Sequence, residues 1–390
     1  MVGMGRNEVI IQRAGEDGPR LLFIEPYANA SHRALCDGLS RHVPARWTLV
    51  TLPGRHFRWR LRGAASHLAL AVGDLLRQPW DGLVCSGMLN LAELRGLAPE
   101  LGQTPALAYF HENQMAYPAP GRADARQRER DLFLAWTNLT TAQAAQQVAF
   151  NSDYQRREFL AAAGALLAAL PDAAPPGLLE AIAAKSAVLP VPLEASEAAG
   201  LERPPRVGPL RLLWNHRWHQ DKDPEAFFAA LGDLAGQGLE FELAVLGFGS
   251  GRPPEVFAAA RPALGERARQ WGAVADRREY WRWLHWADLV VSTALQENQG
   301  LAVAEAVWAG CRPLLPRALV YPELYPEACL YPSGRLAAAL APLLADPDLA
   351  RAPQPATRRA AAALTWRALE PAWRARLAQL TAGDGPRDHG

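Results

Sequence analysis

The chain has 390 residues, 49% of them hydrophobic, and a formal net charge of +1. That composition excludes a disordered or fibrous protein and fits two or three globular domains. No apolar run reaches the roughly 18 residues of a membrane span, and Met1–Arg20 is polar and Gly-rich without an apolar signal-peptide core, so the expected location is the cytoplasm. Cys36, Cys85, Cys311 and Cys329 lie scattered without metal-ligand spacing, which reads as buried thiols and not as a zinc site or disulfide framework. Lysine occurs only at Lys185 and Lys222.

In chain order, Arg20–Glu25 is an apolar strand followed by a polar loop to His32 and a helix over Ala34–Leu39, with Ser31 read as its N-cap. His32 stands at the loop exit, either over the sheet or as a surface residue. After a strand at Trp47–Leu52, the run from Pro53 to Gly63 interleaves Arg55, Arg58, Arg60 and Arg62 with His56, Phe57 and Trp59. Guanidinium groups and aromatic faces together grip phosphates and stack unpaired bases, although the same run also suits a solvated helix edge. Gly82–Ser86 is the next strand. Pro105–Phe110 follows and ends in His111, Glu112, Asn113 and Gln114, four polar groups placed to orient hydroxyls or handle a proton. Arg126–Asp131 opens a helix to about Ala145, Val148–Asn151 is a fifth strand, and Ser186–Pro192 a last one.

A stretch rich in Pro, Gly and charge, residues 194–209, marks a linker between a first domain over 20–193 and a second over 210–363, with a closing helix over 364–380. The second half repeats the alternation of strand and helix, with strands at Leu210–Trp214, Phe241–Gly247, Ala268–Ala273, Ala287–Ser292 and Arg312–Pro316. The fold class is therefore α/β, two doubly wound Rossmann-like domains with a cleft expected between them. Residues 346–363 read as Ala-rich and irregular.

Two loops of the second half carry chemistry. Arg217 and Lys222 follow its first strand and could reach a diphosphate, or form a salt bridge with Asp221 or Asp223. Glu297 and Glu305 stand eight residues apart, about two helical turns if the helix begins near Gly300. The amides of Asn298, Gln299, Gly300 and Leu301 would open that helix and could hold an anion. The flanking residues of Glu305 are apolar, so a buried helix would need a partner for its carboxylate.

At this point the second half looks like the donor domain of retaining GT-B glycosyltransferases of the GT4 type. Over roughly Arg20–Ala345 the chain resembles the tRNA-queuosine alpha-mannosyltransferases. The resemblance is carried by Thr51–Ala64, Ser86–Leu94, Tyr109–Gln114, Trp214–Trp218 with Asp221–Pro224, and Tyr321–Leu324. It implies GDP-mannose as donor, queuosine in tRNA as acceptor and retention at the anomeric carbon. No cofactor and no metal are expected, in keeping with the lack of an Asp-x-Asp motif suited to holding a metal-bound sugar nucleotide.

The resemblance assigns Glu305 to the ribose hydroxyls, Glu297 to the donor sugar and Arg217 with Lys222 to the diphosphate. The amides around Gly300 would hold sugar and phosphate, and His111 would sit beside the anomeric carbon. It also makes Ser31, His32, Arg55, Arg58, Trp59, Arg60, Arg62, Glu112 and Asn113 acceptor-side residues. The chain departs from the family pattern at Ala28-Asn29-Ala30, where a Gly pair is usual, and at Asn298-Gln299, where aromatic residues are usual. Two further readings are a GT4 enzyme acting on a small molecule or lipid, which would be indifferent to the arginines, and a non-catalytic tRNA-binding relative.

Overall fold

The computed structural model describes residues 9–115, 125–248 and 254–382. The chain divides into two units. The first comprises the residues up to Pro192 together with those from Leu369 on, and the second Leu193–Ala368.

Seven strands form the sheet of the first unit: β1 Ile10–Ala14, β2 Arg20–Ala28, β3 Arg46–Pro53, β4 Gly82–Ser86, β5 Ala106–Phe110, β6 Gln147–Phe150 and β7 Ser186–Val188. Their order is β1-β3-β2-β4-β5-β6-β7. All neighbours run parallel except β1, which is antiparallel to β3. The inner strands are near-continuous apolar runs because helices cover both faces, and Leu22, Ile24, Val50, Leu83 and Cys85 lie in the resulting core. Strand β1 escapes the sequence reading. Of the polar stretch Met1–Arg20 the first eight residues lie outside the described range, and β1 itself is a short edge strand whose Ile10 and Ile11 are exposed, so it carries no burial pattern.

The loop after β2 is built differently from expectation. Asn29, not Ser31, caps the helix Ala30–His42: its Oδ1 accepts the His32 N–H at 3.1 Å and the Ser31 hydroxyl at 3.0 Å. Asn29 has the extended backbone an N-cap needs, whereas Ser31 already lies in the first turn. An ideal Cβ at Gly54 would fall 2.7 Å from the Asn29 nitrogen. Here a glycine at the end of β3 provides the close approach to this loop.

The second unit carries six parallel strands: β8 Leu210–Asn215, β9 Phe241–Leu246, β10 Ala268–Gly272, β11 Leu289–Val291, β12 Arg312–Pro316 and β13 Leu330–Tyr331, ordered β10-β9-β8-β11-β12-β13. Its core gathers Leu212, Trp214, Phe227, Leu243 and Val291. The two-residue β13 is too short to show a period, so the sequence did not reveal it. The stretch read as irregular forms helices at Pro347–Arg351 and Pro355–Ala363. Each has proline in its first turn, where the missing N–H removes no bond, so those prolines start helices.

Residues 194–209 are stitched to the second unit. Arg203 donates to the carbonyls of Ala309 and Ala287, Arg206 to that of Gly310, and the Arg206 guanidinium lies 3.4 Å from buried Asp288. The helix Trp366–Ala382 ends the described chain, and its Trp373 indole donates to the Pro190 carbonyl within the first unit. All four cysteines are free and buried, and burial pushes the thiols of Cys85 and Cys311 up to about 12. A thiol reagent is accordingly expected to modify them only after unfolding, which a titration with and without denaturant checks.

Candidate active site

In the second unit the loops leave β8 and β11 at their C-terminal ends, where an open parallel sheet binds ligands. Lys222 is buried, and its Nζ donates to the Gln296 carbonyl at 2.6 Å and to Glu297 Oε2 at 3.2 Å, with Asp221 Oδ2 at 3.5 Å. Arg217 is about half exposed and also pairs with Asp221, at 3.2 Å. The salt-bridge alternative for these two cations is thus present in the fold, with Asp221 as the shared partner. Burial pushes the carboxyls of Asp221 and Glu297 up, but Lys222 and the neighbouring cationic groups outweigh it, so both stay below the usual carboxylate range.

Glu297 also turns the loop. Its Oε1 accepts the N–H groups of Gly300 at 3.0 Å and of Asn298 at 3.2 Å, so two of the four amides expected at an anion are directed at this carboxylate. Gln299 is buried. Gly300 caps the helix Leu301–Trp308 with φ of 74°, and an ideal Cβ there would lie 3.2 Å from the ring of Tyr321. That ring is itself held by a 2.7 Å bond between its hydroxyl and Ser292. The conformation and the close ring together require glycine.

The helix begins at Leu301, so Glu305 lies about one turn inside it. The two-turn expectation fails because Glu297–Gly300 is not helical. The expected partner for Glu305 is present, and in fact there are two, both on the helix Arg277–Trp286. Arg277 donates to Oε1 at 2.7 Å and the Tyr280 hydroxyl to Oε2 at 2.7 Å. Arg277 also holds Glu197, and the Asn215 amide joins the Tyr280 hydroxyl to the Ala302 carbonyl. Burial and then the Glu305 carboxylate push the Tyr280 phenol well up, which keeps it a donor. Glu297 thus anchors one network, through Lys222, and Glu305 another, through Arg277 and Tyr280.

His216, buried between Asn215 and Arg217, is a further member. Its ring meets Trp214 edge-on at 5.1 Å. Burial, and then the Lys222 charge, lower its titration to about 4, so it is neutral at pH 7. Beside it Trp218 stacks on Phe257 at 4.1 Å and 5°, and an ideal Cβ at Gly247 would fall 2.1 Å from the His216 carbonyl oxygen. These contacts fix the loop that carries Arg217.

In the first unit, the polar run after β5 divides. His111 is buried and lines a small recess with His32, Gly87, Met88, Glu112, Gln114 and Asn138. Glu112 Oε2 accepts from the Gln114 amide, while Asn113 is buried and its Oδ1 accepts the Met115 N–H at 3.0 Å. Asn113 thus shapes the turn beneath the recess. Asn138 ties the helix Ala125–Ala144 to two strand-end loops by donating to the Gly87 carbonyl and accepting the Gln114 N–H. The side chains of the charged opening Arg126–Asp131 lie outside the described residues.

His32 is buried, not on the surface. Its Nδ1 lies 2.8 Å from Glu25 Oε2, and its ring stacks on His111. Glu25, His32 and His111 have ligand atoms close enough to suggest a metal site. The two imidazoles, however, are nearly parallel at 3.9 Å and 19°, so their in-plane lone pairs run side by side and do not converge on one ion. The set fits a metal poorly.

The arginine run becomes the helix Phe57–Ala71. On a helix Arg58 and Arg62 share a face while Arg60 points the other way. Arg55, Arg58, Trp59 and Arg62 are exposed, but Arg60 is buried beside Leu61 and Ala64. Arg60 therefore leaves the phosphate-facing set, a correction to the reading that grouped it with Arg55, Arg58 and Arg62. Trp59 is 68% exposed. An ideal Cβ at Gly63 would come within 2.9 Å of the Trp59 ring, so the indole rests on Gly63. Arg62 stands over the exposed ring of Phe133 at 5.1 Å.

Two units, each a largely parallel sheet with polar loops at its strand ends, form the GT-B fold. The chain matches sucrose-phosphate synthase from Thermosynechococcus elongatus with a TM-score of 0.66 at 15% identity, over 94% of this chain and 100% of that one. It matches Anabaena HepE, solved with UDP and glucose, with a TM-score of 0.65 at 13% identity, over 94% and 100%. More specifically, the chain belongs to the tRNA-queuosine alpha-mannosyltransferase family. Residues 20–193 match the family described as tRNA-queuosine alpha-mannosyltransferase N-terminal. A Drosophila melanogaster protein named tRNA-queuosine alpha-mannosyltransferase is 32% identical over 325 residues, 80% of this chain and 83% of that protein.

Proposed function

We propose that this glycosyltransferase moves mannose from GDP-mannose to queuosine in the anticodon loop of tRNA, in the cytoplasm, with retention at the anomeric carbon and without a metal ion. The observation that carries the reading is Lys222, a buried ammonium held among Glu297, Asp221 and the Gln296 carbonyl at the strand ends of the second unit. Departure of a nucleoside diphosphate develops negative charge on phosphate while the sugar becomes oxocarbenium-like. Lys222 and Arg217 are the cations for that phosphate, and the helix Leu301–Trp308 adds its positive end, with the Asn298 and Gly300 amides taken up by Glu297. Glu305, oriented by Arg277 and Tyr280, takes the ribose hydroxyls; Glu297 takes the sugar, and His111 stands beside the anomeric carbon. Retention rests on the family resemblance.

The RNA acceptor is favoured over a small molecule or lipid by the exposed set Arg55, Arg58, Arg62 and Trp59, with the indole laid flat on its helix as a stacking face. Among the described residues no helix is long and apolar enough to cross a membrane. Replacing Arg58 or Arg62 by Ala is expected to weaken tRNA binding and to reduce the slope of log affinity against log salt by about 1 each. Arg60→Ala should act on stability and leave that slope unchanged. Binding curves at several salt concentrations check both. For the donor, calorimetry is expected to show GDP-mannose binding that Glu305→Ala weakens by roughly tenfold or more. Binding of a uridine sugar nucleotide in preference to GDP-mannose would remove the donor assignment.

A further inference from the structure

The recess of the first unit holds more machinery than His111 alone. Glu25 is fully buried in β2, and three donor groups converge on it. Its Oε1 accepts the Ser86 hydroxyl at 3.0 Å and the Tyr27 N–H at 2.8 Å, and its Oε2 lies 2.8 Å from His32 Nδ1. His32 is tied at its backbone too, where its N–H donates to Asn29 Oδ1. Its ring lies on that of His111 with centroids 3.9 Å apart and planes 19° from parallel. Tyr27 closes on His32 edge-on at 5.8 Å, and Tyr109 on His111 at 4.7 Å.

We propose that Glu25 and His32 are positioning residues for His111: the buried carboxylate orients His32, and the stacked ring of His32 fixes the His111 imidazole and keeps it uncharged. A positive charge in this stack is best compensated on His32, where the Glu25 carboxylate is 2.8 Å away. A second proton on His111 would place two imidazolium rings in contact inside the protein, which a low-dielectric site strongly opposes. Burial and then the His32 charge push the His111 titration well below 6.5. The other groups facing it do not reverse this. Among the described residues Met88, Asn138 and Gln114 are uncharged, burial keeps Tyr109 protonated, and Glu112 is a further carboxylate lining the recess. A neutral imidazole can hydrogen-bond a sugar without a positive charge that would oppose an oxocarbenium-like carbon.

The inference rests on the reading of His111 as the group beside the anomeric carbon. It is tested on the full chain, with the histidine rings isotopically labelled, by NMR titration of His111 without substrate. The measurement compares the natural protein with His32→Gln, Glu25→Gln and the milder Ser86→Ala. In the natural protein His111 is expected to stay neutral to well below pH 6.5. In His32→Gln and Glu25→Gln its midpoint rises, and by less in Ser86→Ala.

With donor and acceptor present, the acid limb of kcat should move to higher pH by the same amount as the midpoint. In His32→Gln, kcat should fall about tenfold while the donor KM changes little. A His111 that titrates near 6.5 in the natural protein, or a midpoint unmoved in every variant that stays folded, overturns the proposal. Because the titration needs no turnover, failure of mannosyl transfer would count against the function reading and leave this test intact.

Discussion

Lys222→Met is expected to lower the transfer rate by roughly 10²–10³-fold, the effect of removing one fixed group that stabilises developing charge. Arg217, about half exposed and shared with Asp221, cannot substitute for an ammonium placed against Glu297. The same change removes the cation between two largely buried carboxylates. It should therefore also destabilise the fold, by about 3 kcal/mol, the range for breaking one side of a buried pair. Measuring kcat and the unfolding midpoint together separates the two effects: loss of rate in a protein still folded at the assay temperature assigns Lys222 to the reaction. A folded Lys222→Met protein with near-natural kcat would take the diphosphate role away from it.

The second large effect is on acid stability, and it comes from His216. This ring is buried and titrates at about 4 in the folded chain, against an ordinary value of about 6.5. The depressed value means that the unfolded state binds a proton the folded state refuses. Stability is thus complete above pH 6.5 and is lost as pH falls from 6.5 towards 4. The full shift corresponds to about 3 kcal/mol, and no further loss from this group follows at lower pH. Urea unfolding of the natural protein and of His216→Gln, compared from pH 7 to pH 4, should show a shallower decline in the variant. Parallel declines would mean that His216 is not held neutral.

What the sequence made legible followed from continuous signals. Apolar runs such as Leu83–Cys85 and Leu212–Trp214 gave the inner strands, since strands buried on both faces need apolar residues at every position. The polar residues just beyond those runs marked the ligand-facing ends. What stayed hidden was mostly pairing. Nothing in the chain joins Arg277 and Tyr280 to Glu305, because the contacts bring together residues 28 and 25 positions apart on two helices. Glu25 reads as the last residue of a strand, and its role with His32 and Ser86 arises only from parallel pairing of β2 with β4.

Helical phase explains the rest. Arg60 stands with Arg58 and Arg62 along the sequence and opposes them on the helix. Asn29 and Ser31, two residues apart, are equally good capping types, so sequence alone does not choose between them. Glu25 could have been found in the sequence, since a carboxylate closing an apolar strand seven residues before a histidine is a charged group that must be paired if buried.

The most direct measurement is transfer itself: the purified protein with GDP-mannose and queuosine-containing tRNA, followed by mass analysis of the released nucleosides. The account predicts that queuosine gains the mass of one hexose, that the product depends on Lys222 and Glu305, and that tRNA lacking queuosine stays unmodified. Donor bound or hydrolysed while queuosine remains unchanged would contradict it.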